Sequence, residues 1–192
     1  MRTFTATLSI PLALAAFSST ASAAEPVTVL VAYYSQSGNT EKLAHALAEG
    51  ADSVEGVESL VKSVEAVTKS DLERADGIAL GSPVYMGDVA PEFRIAAVRW
   101  SNEFGFWDSR GLQNKAGAVF ATGAFPSNGK EFTMLSLAQT LLQYGVVLVS
   151  PYGSVGASAT TYRPDEGVDE VELRIARDLG VRLAETAQRL AD

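Results

Sequence analysis

Along this chain, short β-rich runs alternate with longer runs whose apolar positions recur every three to four residues. The short runs predict strands at 27–34, 57–64, 77–81, 116–122 and 146–149. The longer ones predict helices at 40–51, 91–102, 130–144 and 169–190, with a brief helical turn at 69–74. Strands that read as near-continuous Val, Ala, Leu and Ile are buried on both faces, which marks a parallel sheet covered by helices. The alternation therefore predicts a doubly wound α/β sandwich of five strands. Local signals agree. Leu43 and Leu47 stand one turn apart, and Ala44, Ala48 and Ala51 extend their face; Pro91 suits a first helical turn, and Gly145 after Tyr144 reads as a helix stop. Val171, Ile175, Leu179 and Leu183 recur every four residues, so the last helix is expected to turn that stripe to the sheet.

The first residues follow a different pattern. Met1 and Arg2 precede a short apolar stretch, Leu8 to Phe17, and Ala21-Ser22-Ala23 has the small-x-small form of a cleavage site. We read residues 1–23 as a signal peptide and 24–192 as one domain, periplasmic or secreted. The apolar stretch is too short for a stable membrane anchor and contains Pro11. Fifteen basic against twenty-three acidic residues, a net charge of −8, argue against nucleic acid as a partner. With no cysteine, disulfides and thiol catalysis are excluded; a single histidine then argues against a transition-metal site.

Candidate chemistry sits in the polar gap after the first strand, Ser35-Gln36-Ser37-Gly38-Asn39-Thr40. In a doubly wound sheet, ligands bind at the carboxyl ends of the strands where the winding reverses. A helix start offers unpaired N–H groups and the positive end of its dipole, Gly38 permits a tight turn, and Ser35, Ser37 and Thr40 add hydroxyls. Such a cup fits a phosphate. It has neither the lysine of a P-loop nor Gly-x-Gly-x-x-Gly, which favours a terminal monophosphate over a nucleoside triphosphate or a Rossmann dinucleotide. The plainer alternative is a helix capped by Ser37 or Asn39.

This stretch resembles the Thr/Ser-x-Thr/Ser-Gly-x-Thr phosphate loop of flavodoxins and of the WrbA-type NAD(P)H:quinone oxidoreductases. Two further stretches, GSPVYMGDVAPEFR (81–94) and AVFATGAFPSNGKE (118–131), resemble that family's third- and fourth-strand loops, and LLQYGVVLVSPYG (141–153) its final helix-to-strand passage. The resemblance implies a flavodoxin-like three-layer sandwich with strand order 2-1-3-4-5 and a noncovalent FMN. Ser35, Gln36, Ser37, Gly38, Asn39 and Thr40 would take the phosphate. Pro83, Val84, Tyr85, Met86 and Gly87, with Thr122, Gly123, Ala124, Phe125 and Gly129, would surround the ring. NAD(P)H is the implied donor and a quinone the acceptor, with Tyr85, Trp107 and Tyr144 shaping the pocket. Trp107 stands where the reductases carry a tryptophan near the substrate, and an ordinary core or interface tryptophan is the alternative. Tyr144 replaces a histidine usual near the flavin. The segments before the third strand and after the fifth are shorter than in the tetrameric reductases, so a homodimer or a monomer is as well supported. His45 is expected to be a solvated helix residue and Glu92 a structural one, favouring the dipole of its helix.

Three functions follow from different classes: a two-electron FMN reductase, an exported flavodoxin that carries electrons to a redox protein, and a flavodoxin-like binding module without flavin.

Overall fold

The computed structural model describes residues 25–162 and 167–191. The signal peptide expected over 1–23 lies outside the described residues. The elements run β1 (Val27–Tyr33), α1 (Asn39–Asp52), β2 (Val57–Ser63), α2 (Lys69–Arg74), β3 (Gly77–Tyr85), β4 (Asp88–Val89) and α3 (Pro91–Asn102). Then come α4 (Phe106–Ser109), β5 (Ala116–Gly123), α5 (Lys130–Gln143), β6 (Val147–Leu148), β7 (Ala157–Thr160) and α6 (Glu170–Ala191). Among the described residues no helix is long and apolar enough to cross a membrane.

The sheet runs β2-β1-β3-β5-β6, all parallel, in the order the family resemblance implies. Its fifth lane is in two pieces. β6 lies beside Ala116 and Gly117 at the start of β5, and β7 beside Phe120 to Gly123 at its end. Between them the chain leaves the sheet and returns at Gly156, where a Cβ would stand 2.0 Å from the Val119 carbonyl oxygen. The sequence reading found only the first piece, because β7 is Ala-Ser-Ala-Thr and carries no large apolar residue. A second addition is β4, which folds back antiparallel on β3.

Two apolar clusters fill the sandwich, one on each face of the sheet. Phe93 and Trp100 of α3 and Met134, Leu137 and Leu141 of α5 pack on Leu30, Ile78, Leu80 and Val119. On the other face α1 and α6 cover Val29, Val31, Ala79 and Phe120. These two helices approach so closely that each presents a glycine to the other's backbone. A Cβ on Gly50 would stand 2.0 Å from the Arg177 carbonyl oxygen, and one on Gly180 2.0 Å from that of Leu47. His45 is exposed on the outer side of α1, as expected.

The stripe expected on the last helix is corrected by this packing. Leu179 and Leu183 are buried, but Val171 is 55% exposed and Ile175 37%. The four positions span about 120° of the helix, and the buried side is centred near Ala176 and Ala187, so Leu179 and Leu183 fall within it and Val171 and Ile175 beyond its edge. The buried face instead follows the small residues Ala176, Gly180, Ala184 and Ala187, which the close contact with α1 requires.

On the opposite face, α5 ends as the sequence indicated. Gly145 takes φ +75°, and Val146 donates to the Leu141 carbonyl. Just before it, Tyr144 is buried, and its hydroxyl donates to the Ala97 carbonyl at 2.7 Å, tying α5 to α3. Burial pushes this phenol up to about 12.

Gly180→Ala forces the helices apart and should destabilise the fold by about 2–3 kcal/mol, read from urea unfolding; an unchanged midpoint would show that α6 tolerates the shift. Tyr144→Phe should cost about 1 kcal/mol at pH 7. Because the folded-state phenol titrates above its ordinary value near 10, the contribution of the neutral group is present below pH 10 and is lost as pH rises towards 12. The deficit of the phenylalanine variant should therefore shrink over that window, and a constant deficit would refute this account.

Candidate functional site

Beyond β1 the Tyr34 N–H still reaches the Gly81 carbonyl at 3.0 Å, and then the chain leaves the sheet. Ser35 Oγ accepts the Gly38 N–H at 3.1 Å, and the Asn39 side-chain amide donates to Ser37 Oγ at 3.2 Å. Gly38 itself is the N-cap, at φ +83°, and no side chain caps the helix. That rules out the simple capping role for Ser37 or Asn39. The first bond of α1 runs from Lys42 N–H to the Gly38 carbonyl at 3.0 Å. Among the described residues, the N–H groups of Gln36, Ser37, Asn39, Thr40 and Glu41 find no acceptor. Five unpaired donors at the positive end of a 14-residue helix have the chemistry to take an anion.

Two bonds fix this cup in place. Thr40 is buried, and its hydroxyl shares a hydrogen bond of 2.8 Å with that of Thr122 at the end of β5. Tyr33 donates to Glu41 Oε1 at 2.7 Å, so the acidic side chain of the first turn is held by a phenol. Burial, and then Glu41, push Tyr33 up to about 12.

The third-strand loop is a hairpin whose tip is Met86-Gly87, both in the left-handed region at φ +50° and +84°. Two such residues joining β3 to β4 match the twist of a two-residue turn. Ser82 Oγ donates to the Pro83 carbonyl at 2.8 Å and accepts the Ala90 N–H at 2.9 Å, locking the base of the hairpin. Tyr85 donates to Gln36 Oε1 at 3.0 Å and so joins the hairpin to the cup. Tyr34 meets Tyr85 edge-on at 6.1 Å; the Glu92 carboxylate facing its hydroxyl, and then burial, push Tyr34 up to about 12. One Glu92 oxygen is buried with no hydrogen-bond partner among the described residues.

The fourth-strand loop closes the far side. Gly129, at φ +98°, lies so near the hairpin tip that a Cβ there would stand 2.7 Å from the Gly87 carbonyl oxygen. Inside the loop the Asn128 amide, oriented to accept from Ala124 N–H and donate to the Phe125 carbonyl, braces the backbone at 3.1 and 3.0 Å. Phe125 is exposed and meets Tyr162 at a tilt of 48° with ring centroids 5.3 Å apart, and the Tyr162 N–H donates to the Ala124 carbonyl at 3.0 Å.

The structure thus brings residues 35–40, 83–87 and 122–129 together at the carboxyl end of the sheet. It does not bring Trp107 and Tyr144 there. α5 starts beside the end of β5 and carries the chain back, so Tyr144 at its far end lies next to β6 and the start of β5; Trp107 lines the same cavity as Tyr144. Within one chain neither shapes the candidate ring pocket, and the expectation that they do is corrected. Tyr162 and Lys130 belong to the site region although the sequence reading passed over both. Lys130 had a signal: it is in phase with Met134, Leu137 and Leu141, the inward face of α5.

The residues present fit FMN. The unpaired donors of the cup suit a dianionic phosphate, and the two loops that meet at Gly87 and Gly129 border the space beside it with Tyr34, Tyr85 and Phe125. Comparison with known proteins agrees. The sequence profile of the family described as Flavodoxin matches residues 31–168. A flavodoxin of Aquifex aeolicus (strain VF5) is 34% identical over 166 residues, covering 82% of this chain and 85% of that one. An NAD(P)H dehydrogenase (quinone) of Rhizobium rhizogenes is 31% identical over 198 aligned residues, covering 84% and 98%. Among solved structures, the flavodoxin, WrbA-like protein from Agrobacterium tumefaciens is similar at TM-score 0.73 and 27% identity, covering 85% and 98%. With the matched profile spanning most of its length and its three loops assembled at one end of the sheet, the chain belongs to the flavodoxin family.

Proposed function

We propose that the chain is an FMN-dependent oxidoreductase that passes two electrons to a quinone-type acceptor, with NAD(P)H as the donor where it is available. The observation that carries the reading is the set of unpaired N–H donors at the start of α1, facing two loops in mutual contact. Similarity to a relative named NAD(P)H dehydrogenase (quinone) supports the reaction class. FMN, when bound, supplies the hydride and electron chemistry. The chain's residues do the rest. Ser35, Ser37 and the free N–H groups of residues 36, 37 and 39–41 would hold the phosphate; Tyr85 and Gln36 set the hairpin against the cup; the backbone of 122–129, stiffened by Asn128, and the rings of Phe125 and Tyr162 would border the flavin. With its leader-like first 23 residues, we place the protein outside the cytoplasm, where the physiological donor is a reductant other than cytosolic NAD(P)H.

A second reading, a one-electron carrier, is favoured by similarity to the Aquifex flavodoxin and by a net charge of −8, which suits a basic redox partner.

Titration of the purified chain with FMN, followed by quenching of flavin fluorescence, should show FMN bound at least about 100-fold more tightly than riboflavin, since several charge-assisted hydrogen bonds distinguish them. Ser37→Ala should weaken FMN about tenfold and leave riboflavin unchanged. Equal binding of the two flavins would remove the phosphate cup from the proposal, and no binding would leave a flavin-free binding module. Enzyme and carrier separate in kinetics: NADH with benzoquinone should give parallel double-reciprocal lines for the reductase, whereas a carrier should take up its two electrons at well-separated potentials and turn over slowly. In an export-competent host, the recovered protein should begin at Ala24; recovery of the intact chain in the cytoplasm would overturn the proposed location.

A further inference from the structure

Lys130 opens α5 and is only 5% exposed. Its stem lies against Gly123, where a Cβ would stand 2.9 Å from Lys130 Cγ. Its ammonium donates to Thr160 Oγ1 at 2.5 Å, and Thr160 pairs with Gly123 across β5 and β7. Among the described residues this hydroxyl is the only partner of the ammonium. Glu172, the carboxylate attached to the same strand, accepts instead from the N–H groups of Thr160 and Asp169, at 2.8 and 3.0 Å. One turn further along α5, Thr133 is fully buried and its hydroxyl has no partner among the described residues.

Packing does not account for this lysine. Dehydrating an ammonium costs several kcal/mol unless a counter-charge or a full set of acceptors replaces the water, and here two of its three donors are unspent. A methionine would fill the same space at lower cost. The position is also specific: the stem lies against Gly123, where the fourth-strand loop departs, and the ammonium beside Thr160, which pairs with Gly123, at the end of the sheet that carries the site.

We propose that Lys130 is a fixed positive charge of the cofactor site, held behind the 122–129 loop so that a group resting on that loop is stabilised when it gains negative charge. The inference rests on the FMN reading above. A hydride from NAD(P)H brings two electrons and one proton, so the ring gains one negative charge and the donor leaves as NAD(P)+. A second proton is needed to neutralise the ring. A buried cation nearby favours the anionic form, and the low-dielectric surroundings strengthen the effect. Lys130 thus makes reduced FMN bind more tightly than oxidised FMN and raises the two-electron potential, the direction a reductase needs to accept hydride.

The test compares the FMN-loaded chain with Lys130→Gln, which keeps a donor for Thr160 and loses the charge, and with Thr160→Val, which keeps the charge and loses the hydroxyl. Flavin affinity is read by fluorescence quenching and the midpoint potential by reductive titration against a reference dye. Lys130→Gln should bind oxidised FMN nearly as the parent does but hold reduced FMN about tenfold less well relative to it, a drop of about 30 mV for two electrons. Thr160→Val should keep the parent potential. A Lys130→Gln protein with the parent potential would make the lysine a packing residue and overturn the inference. Should that variant not fold, the reduced parent alone decides: its absorbance should remain that of the anionic reduced flavin to a lower pH than free reduced FMN, and coincidence with free FMN overturns the inference. Failure of the parent to bind FMN would instead sink the reading on which all of this rests.

Discussion

The contact between α1 and α6 is the constraint on which the site depends. Gly50 and Gly180 let each helix touch the other's backbone, with Ala44, Ala48 and Ala51 facing Ala176, Ala184 and Ala187 in the same cluster. A glycine in a helix interior costs up to about 1 kcal/mol relative to alanine. The close approach offsets that cost with dispersion contacts along both helices, and it also fixes where α1 begins. The Thr40 hydroxyl reaches Thr122 at 2.8 Å only because α1 lies flat against the sheet, and the segment leading into α6 comes so near that a Cβ on Gly167 would stand 2.4 Å from Asn39 Oδ1. One wall of the phosphate cup is therefore set by a helix that supplies none of its donors.

The cup itself is made of neutral groups. Its donors are backbone N–H groups and hydroxyls, and the acidic residue of its first helical turn is bound to Tyr33. A backbone cup holds the same charge at any pH at which the chain folds, and it cannot swing away as a lysine side chain can. Lys130 carries a charge that meets no carboxylate among the described residues, and it is buried behind a loop and not exposed at the cup. On the reading proposed above, a neutral phosphate cradle kept apart from a charged ring side would let the first govern affinity and the second govern potential.

What could be read from the sequence, and what could not, follows from what local patterns encode. The hydroxyls around Gly38 and the parallel strands were legible because a helix start and a doubly buried strand each leave a short, local signature. The Met86-Gly87 hairpin was not, since a methionine at φ +50° is rare and the usual Asn-Gly or Asp-Gly cue is absent. β7 was hidden by its small residues. The four-residue stripe of α6 misled because it lies to one side of the true buried face, which is built largely from alanines and a glycine that carry little hydrophobic signal. Trp107 and Tyr144 were assigned to the pocket by resemblance, while chain direction puts the end of α5 at the opposite end of the sheet. Lys130 was overlooked because a charged residue is read as solvated by default, although its phase with Met134 and Leu137 pointed inward.

The same residues explain why redox chemistry here belongs to a bound group and not to the chain. There is no cysteine, and the one histidine is exposed on α1. Tyr33 and Tyr34, at the mouth of the cup, are both pushed up to about 12, so neither gives up a proton near neutrality. A side chain that is to act as a general acid or base at pH 7 needs a pKa near that value, and neither of these phenols is tuned that way. What the site offers is positioned donors, a hairpin and a loop held in register at Gly87 and Gly129, and one buried cation. These are means of binding a reactive group and setting its energy. On the proposed reading, such a protein would leave its acceptor to be chosen at the open rim, where Met86, Phe125 and Tyr162 are exposed.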